Sequence, residues 1–243
     1  MRIISLLLFL SLSVLAETLE VPTINLSLSS PDTPAQLVSS INVILMLTIL
    51  FLAPSLLLMT TTFTRFVIVF GFMRQAMGTQ QIPPTQILVS LALILTIFVM
   101  EPIGQKAYDD GIKPYIEEQI NYEVAFERTT KPFKSFMIRN TREKDLALFF
   151  RIRKMNNPDT IDDVPLSVIL PAFMISELKT AFEIGFLLFL PFLVIDMVVA
   201  SILMSMGMMM LPPVMISMPF KILVFVLVDG WNLLIGNLIA SIK

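Results

Sequence analysis

Residues 184–213 read IGFLLFLPFLVIDMVVASILMSMGMMMLPP, and Asp196 is the only ionisable side chain among them. The run from Ile184 to Met206 is apolar on every side, which marks a helix buried all round or lying in lipid. It is close to the ~20 residues a helix needs to cross a bilayer. Leu211-Pro212-Pro213 stops it, and a second apolar run follows from Val214 to Ile239, with Lys221 inside it. Two such runs joined by a short turn make a helical hairpin. An earlier pair, Ile41–Phe63 and Ile87–Ile103, repeats the arrangement. The reading is therefore all-α and membrane-associated, with two long apolar hairpins and an amphipathic helical region between them. Its segments are a signal peptide (1–16), a polar stretch (17–40), a first hairpin (41–103), a charged region (104–165) and a second hairpin with a Met-rich turn (166–243).

Composition supports this. Of 243 residues, 56% are hydrophobic and 15% charged, against about 25% charged in ordinary soluble domains. The surplus apolar surface must face lipid or other subunits. A net charge of -2 without a basic arm gives no footprint for nucleic acid. Cysteine and histidine are absent, which removes disulfides, thiol nucleophiles, Cys/His zinc sites and His-based proton relays. There is no Gly-x-Ser-x-Gly elbow and no phosphate-binding Gly loop, so no cofactor and no enzyme is expected.

Arg2, the apolar run Ile3–Leu15 and Val14-Leu15-Ala16 fit a secretory signal cleaved before Glu17. With that end outside, the Thr64–Gln86 connection falls in the cytoplasm; it holds Arg65 and Arg74 and no acid, as the positive-inside rule asks. The charged region is then external, and the Gly207–Pro213 turn points back toward the cytoplasm. Inside the charged region, Phe133, Phe136 and Met137 recur at helical spacing, as do Leu146, Phe149 and Phe150. Pro114 and Pro132 suit first helical turns, and Asn156-Asn157-Pro158-Asp159 reads as a loop.

Four features could carry function. Asp196 and Lys221 fall at similar depth if their runs pair; the plain reading is an ion pair that sets hairpin register, the sharper one gating or ion coupling. Met204, Met206, Met208, Met209 and Met210 are either core filling at a helix end or a deformable apolar seal around a passing polypeptide. One loop cannot enclose a pore, so the seal requires an oligomer. Glu177, Lys179 and Glu183 read as a solvated or interface face with an i,i+4 pair. Asp229-Gly230-Trp231 ends the main apolar stretch, and its Trp suits an interface anchor. An aspartyl dyad of Asp196 and Asp229 is disfavoured, because the two lie far apart along the hairpin and Lys221 is the nearer partner. The rival to a gate is an independent multi-pass transporter or channel using Asp196 and Lys221 for ion coupling.

Two blocks carry a resemblance. The first is Phe63-Thr-Arg-Phe-Val-Ile-Val-Phe-Gly-Phe-Met-Arg-Gln-Ala-Met-Gly-Thr with Pro83-Pro84-Thr-Gln-Ile-Leu. The second joins Ser176-Glu-Leu-Lys-Thr-Ala-Phe-Glu-Ile-Gly-Phe, Asp196, Met206-Gly-Met-Met-Met-Leu-Pro-Pro, Pro219-Phe-Lys and Val228-Asp-Gly-Trp. From Ile41 onward the chain resembles the FliP/SctR family of type III secretion export gates, and the signal-like start favours the flagellar branch. The resemblance implies a homo-pentamer assembled with FliQ and FliR, in contact with lipid, other export-apparatus proteins and rod proteins. Such a cone would line the conduit for unfolded export substrates and seed the rod of the flagellar basal body at the bacterial inner membrane, with a periplasmic region. It further implies that the hairpins are held largely above the bilayer plane. It implies a methionine gasket at Met208, Met209 and Met210, a charge pair at Asp196 and Lys221, and ring-assembly positions at Phe136, Phe149 and Glu177.

Overall fold

The computed structural model describes residues 34–79, 81–155, 163–208 and 210–242, with the backbone alone for 34–40, 53 and 57. The signal peptide, the polar stretch up to residue 33, the Asn156–Asp159 loop and Met209 lie outside the described residues. Helix α1 spans Pro34–Met59, α2 Phe63–Ala76 and α3 Thr85–Ala107. A π-helical turn, Tyr108–Ile112, leads from α3 into the short α4, Lys113–Ile116. Then come α5 (Tyr122–Asn140), α6 (Glu143–Ile152), α7 (Leu166–Ser205), α8 (Pro213–Leu227) and α9 (Gly230–Ala240). No strand occurs among the described residues, and the all-α expectation holds. The chain divides into two units at Ile49 and Leu50. The described part of the first unit is the opening of α1; the second holds both cores and, among the described residues, the paired charges.

The Thr64–Gln86 connection is not a loop. Most of its first half belongs to the 14-residue α2, the most thoroughly buried helix of the fold. Phe66, Val69, Phe70, Met73 and Ala76 follow the 3.6-residue period on one face, and none of them is exposed. They build a core with Leu88 and Ala92 of α3, Ala181 and Phe192 of α7, Phe225 of α8 and Leu234 and Leu238 of α9. One close crossing is at Gly185. A Cβ there would stand 2.5 Å from the Phe72 ring, so α2 and α7 meet at a distance only glycine permits. A second core gathers Met100, Phe136, Met137, Phe150, Val168, Ile169 and Phe173, with Phe133, Leu146 and Phe149 packed around it. The aromatic spacing of the charged region thus faces inward, as its periodicity implies.

Two further expectations change. Pro132 stands inside α5, not in its first turn; the Asn121 side chain caps that helix by accepting from the Val124 N–H at 3.0 Å. The Val214–Ile239 run is two helices bent by 66°. The break is Val228-Asp229, where Asp229 adopts left-handed backbone at φ 50. A Cβ on the following Gly230 would overlap the Phe225 ring, so the bend requires that glycine too. Folded back in this way, α9 brings Leu234 and Leu238 into the first core and Trp231 against Phe70 and Phe225.

Apolar character and burial part company in this fold. Helices Thr85–Ile116 and Leu166–Ser205 are long and apolar enough to cross a membrane, and the bent pair α8–α9 makes up to three. Their outer faces display Ile97, Phe186, Leu187 and Met197, each more than half exposed. α7 has 40 residues, roughly 60 Å at 1.5 Å per residue, about twice the ~30 Å of hydrocarbon in a bilayer. Only its later half is almost wholly apolar, with Asp196 its one ionisable residue.

Candidate functional site: a methionine turn above paired charges

The turn that joins α7 to α8 is closed by backbone chemistry. Gly207 takes φ +76 with nothing near its Cβ position, so conformation rather than space selects glycine. Its N–H donates to the Met204 carbonyl at 3.0 Å and the Met208 N–H to the Leu203 carbonyl at 2.9 Å, the Schellman pattern of a helix end. The chain then leaves α7 sharply, and Pro213 opens α8 in its first turn. Methionine side chains around this turn point outward: Met206 is 65% exposed and Met210 98%. Met208 is also exposed, and Met209 lies outside the described residues. The structure therefore presents these methionines on a surface instead of packing them as core filling within the protomer.

Beneath that surface stands the charge pair. Asp196 of α7 accepts a hydrogen bond from Lys221 Nζ at 2.5 Å on Oδ2 and from Ser217 Oγ at 2.5 Å on Oδ1. Ser217 and Lys221 are four residues apart on α8, so both reach the same carboxylate from one face. Lys221 is 1% exposed and Ser217 fully buried. The arrangement can hold α7 and α8 in register and leaves both carboxylate oxygens occupied. Ser217 escaped the sequence reading; its signal is the i,i+4 spacing ahead of a lone lysine in an apolar helix. Asp229, the other acid of the disfavoured dyad, is exposed at the α8–α9 bend.

A second buried pair corrects the sequence reading, which placed Glu177 on a solvated or interface face: the helix turns Glu177 inward while Lys179 and Glu183 stay outside. Arg65, read from sequence as part of the cytoplasmic connection, is 2% exposed and pairs with Glu177, which is fully buried. The guanidinium donates from Nε to Glu177 Oε2 at 2.9 Å and from a terminal nitrogen to Oε1. Its other terminal nitrogen reaches the Ser241 carbonyl at 2.9 Å and the Ser241 hydroxyl at 2.8 Å. One side chain thus ties α2, α7 and the end of α9 together in planar, bidentate fashion. Burial pushes the Glu177 carboxyl above the usual carboxylate range, and the Arg65 hydrogen bond and charge pull against that push. A sequence signal existed: Arg65 falls on the same helical face as Phe66, Val69 and Phe70, yet its place in a connection between apolar runs concealed it.

The other positions read from sequence separate by burial. Phe136 is 1% exposed and stacks edge-on to Phe173 at 6.0 Å; Phe149 is half-buried. Glu183 lies on the outer face of α7, 2.5 Å from Arg142 and 4.0 Å from Lys179, and the Arg142 hydrogen bond holds its carboxyl below the usual range. Arg142 stands at the start of α6. There its backbone N–H donates to Ser176 Oγ at 3.0 Å, and Ser176 in turn donates to Asp145 at 2.7 Å. These bonds seat α6 on the first half of α7. Among the described residues no group of acids could hold a metal ion.

Comparison with known proteins decides the family. The profile described as "FliP family" matches residues 46–238, which is most of the chain and includes every described residue of both pairs and the turn. The chain belongs to the FliP family. It is 50% identical over 216 residues to the flagellar biosynthetic protein FliP of Bacillus subtilis, covering 89% of this chain and 98% of that one. Against FliP of Caulobacter vibrioides it is 57% identical over 198 residues, 82% of this chain and 74% of the other. Against FliP of Aquifex aeolicus the figures are 47% over 224 residues, 91% and 92%. As a FliP-family member it is a flagellar biosynthesis protein of the export apparatus, a structural component that its apolar helices associate with the membrane.

Proposed function

We propose that this FliP-family chain is a core subunit of the flagellar type III export gate, lining and sealing the conduit through which unfolded flagellar subunits leave the cell. The observation that carries the reading is the exposed methionine turn. Met206, Met208 and Met210 stand outside the protomer, on a turn whose stance is set by Gly207 and by the Asp196–Lys221–Ser217 cluster beneath it. Thioether side chains are unbranched and adapt to irregular neighbours. Repeated around an axis, Met208, Met209 and Met210 would form an elastic apolar gasket that closes on itself and yields to a passing chain.

The reading calls for a homo-oligomer, pentameric in keeping with the family resemblance, with FliQ and FliR as partners, seated at the inner membrane with helices α5 and α6 on the periplasmic side. In this arrangement it seeds the rod. The exposed apolar halves of α3 and α7 supply surface for such neighbours or for lipid. Phe136 and Glu177 act on assembly from inside the protomer: they hold α5, α2 and α7 in place, and Phe149 borders the same core. Asp196 and Lys221 serve as the register pair of the hairpin, a role supported by the hydrogen bond that each carboxylate oxygen accepts from α8.

The test is the mass and composition of the complex extracted in mild detergent. A ring-sized particle containing several copies with FliQ- and FliR-like chains is expected. A monomer or dimer that binds a small solute would replace the gate with an independent transporter.

A further inference from the structure

A cleft of about 1070 Å³ lies away from the methionine turn, between the end of α3, the π-helical turn, α5 and the last residues of the chain. Its apolar lining includes Phe98, Val99 and Ile103 from α3, with Ile239 and Ile242. Its charged lining is Lys106, Arg128, Lys131 and Arg139 with Asp109 and Asp110, four cations against two carboxylates. Lys106 and Arg128 are exposed and form no ion pair among the described residues. Gly111 brings these groups together. A Cβ on it would overlap Thr129 Oγ1 and lie 2.7 Å from the Thr129 nitrogen, so the π-turn seats directly on α5 beside Arg128.

The surroundings indicate what fills the cleft. Helix α3 reaches it across an exposed apolar strip, Ile94, Ile97 and Phe98, each more than 60% exposed. Where that strip ends, the charges begin. The chain has three tyrosines, and all of them, Tyr108, Tyr115 and Tyr122, are exposed at this same end. Tyr115 and Tyr122 are in edge contact at 6.4 Å, and Tyr122 stacks on Phe126 at 6.3 Å. An apolar strip bordered by tyrosines and then by cations is the order of groups met on passing from acyl chains to headgroups.

We propose that this cleft binds a phospholipid, with Lys106 and Arg128 on its phosphate and an acyl chain along Phe98, Val99, Ile103, Ile239 and Ile242. The carboxylates of Asp109 and Asp110 accept from the hydroxyl or ammonium donors of the headgroup. The site depends on membrane association and not on the gate reading, because it uses none of the residues of the methionine turn or its charge pair.

The test titrates the purified full-length protein in neutral detergent with dioleoyl phosphatidylglycerol and with dioleoylglycerol, counting bound molecules by native mass spectrometry. Phosphatidylglycerol is expected to stay bound and dioleoylglycerol, which has the same chains and no phosphate, to be lost. The double variant Lys106→Gln/Arg128→Gln is expected to weaken phosphatidylglycerol about thirtyfold, whereas Lys106→Arg/Arg128→Lys retains it. Equal retention of the two lipids by the wild-type protein overturns the site without recourse to any variant. So does displacement of the lipid by millimolar inorganic phosphate, which would make a free anion the ligand. A double variant that changes the number of protomers while holding lipid as before also overturns it, and makes the cleft an interface between copies. Loss of lipid with normal gate closure leaves the proposed function standing.

Discussion

The two halves of α7 reverse the usual relation between polarity and burial. Its first half, Leu166 to Glu183, carries Ser176 and Glu177, both fully buried, in a shell made by α2, α5 and α6. Its second half, Ile184 to Ser205, is almost wholly apolar and leaves Phe186, Leu187, Met197 and Ile202 more than half exposed. Each half holds one inward-facing ion pair: Arg65–Glu177 closed inside the protomer, Lys221–Asp196 with its acid 25% exposed. The difference teaches that the first half belongs to a protein folded on itself, while the second is built to be completed by lipid or by other chains.

The sharpest way to break this comparison is to remove one member of the enclosed pair. Glu177→Ala leaves the Arg65 guanidinium buried with only Ser241 for a partner, and a loss of about 3–5 kcal/mol is expected for a broken buried pair. Protease resistance of the extracted protein would collapse, and assembly with it. Survival of a fully protected monomer would show that the pair is dispensable to the fold. The second test is Asp196→Ala, which strands Lys221. Its cost should be smaller than that of Glu177→Ala, because water reaches the cluster, and Asp196→Asn should recover part of it through the Ser217 bond. Equal losses at the two sites would erase the distinction between the halves. Third, Gly185→Ala marks the border of the halves by driving a Cβ against Phe72, for about 1–3 kcal/mol of overpacking; Phe72→Leu on top should restore part of the loss in thermal unfolding.

Fourth, replacing Met208, Met209 and Met210 together by Ala should leave stability nearly unchanged, since the described side chains of the set are exposed. Membrane conductance to small ions should rise while the complex still forms. Unfolding of that variant, or an unchanged conductance, would count against the seal. The smallest effect concerns Arg142–Glu183. The Glu183 carboxyl is depressed by Arg142, so its contribution is present above the ordinary glutamate pKa, ~4.3, and fades as the pH falls through the lower folded value. Being exposed, it should also fade with added salt.

Much of the architecture was legible. The lengths and periods of the apolar runs mark α3, α7 and α8, and the aromatic spacing of Phe133, Phe136, Met137, Leu146, Phe149 and Phe150 marks the inward faces of α5 and α6. The stop after the second long helix is written in Gly207 and Leu211-Pro212-Pro213. Helix α2 was misread because two arginines between apolar runs look like a connection, and hydropathy cannot distinguish a guanidinium in water from one held by a carboxylate far along the chain. The bend at Asp229 was hidden for a related reason: an apolar window averages straight through a single left-handed residue.

The sequence by itself determined the all-α class, the apolar surplus and the lone opposed charges, since these follow from composition and from the 3.6-residue period. The hairpin reading already brings Lys221 to Asp196, 25 residues away. The tertiary structure alone decided that Arg65 meets Glu177, 112 residues away; that pairing depends on the helix crossing at Gly185 and on the fold-back of α9, which local propensity does not encode. It also decided that Met206, Met208 and Met210 of the turn face outward, because exposure is a property of what surrounds a side chain and not of the side chain.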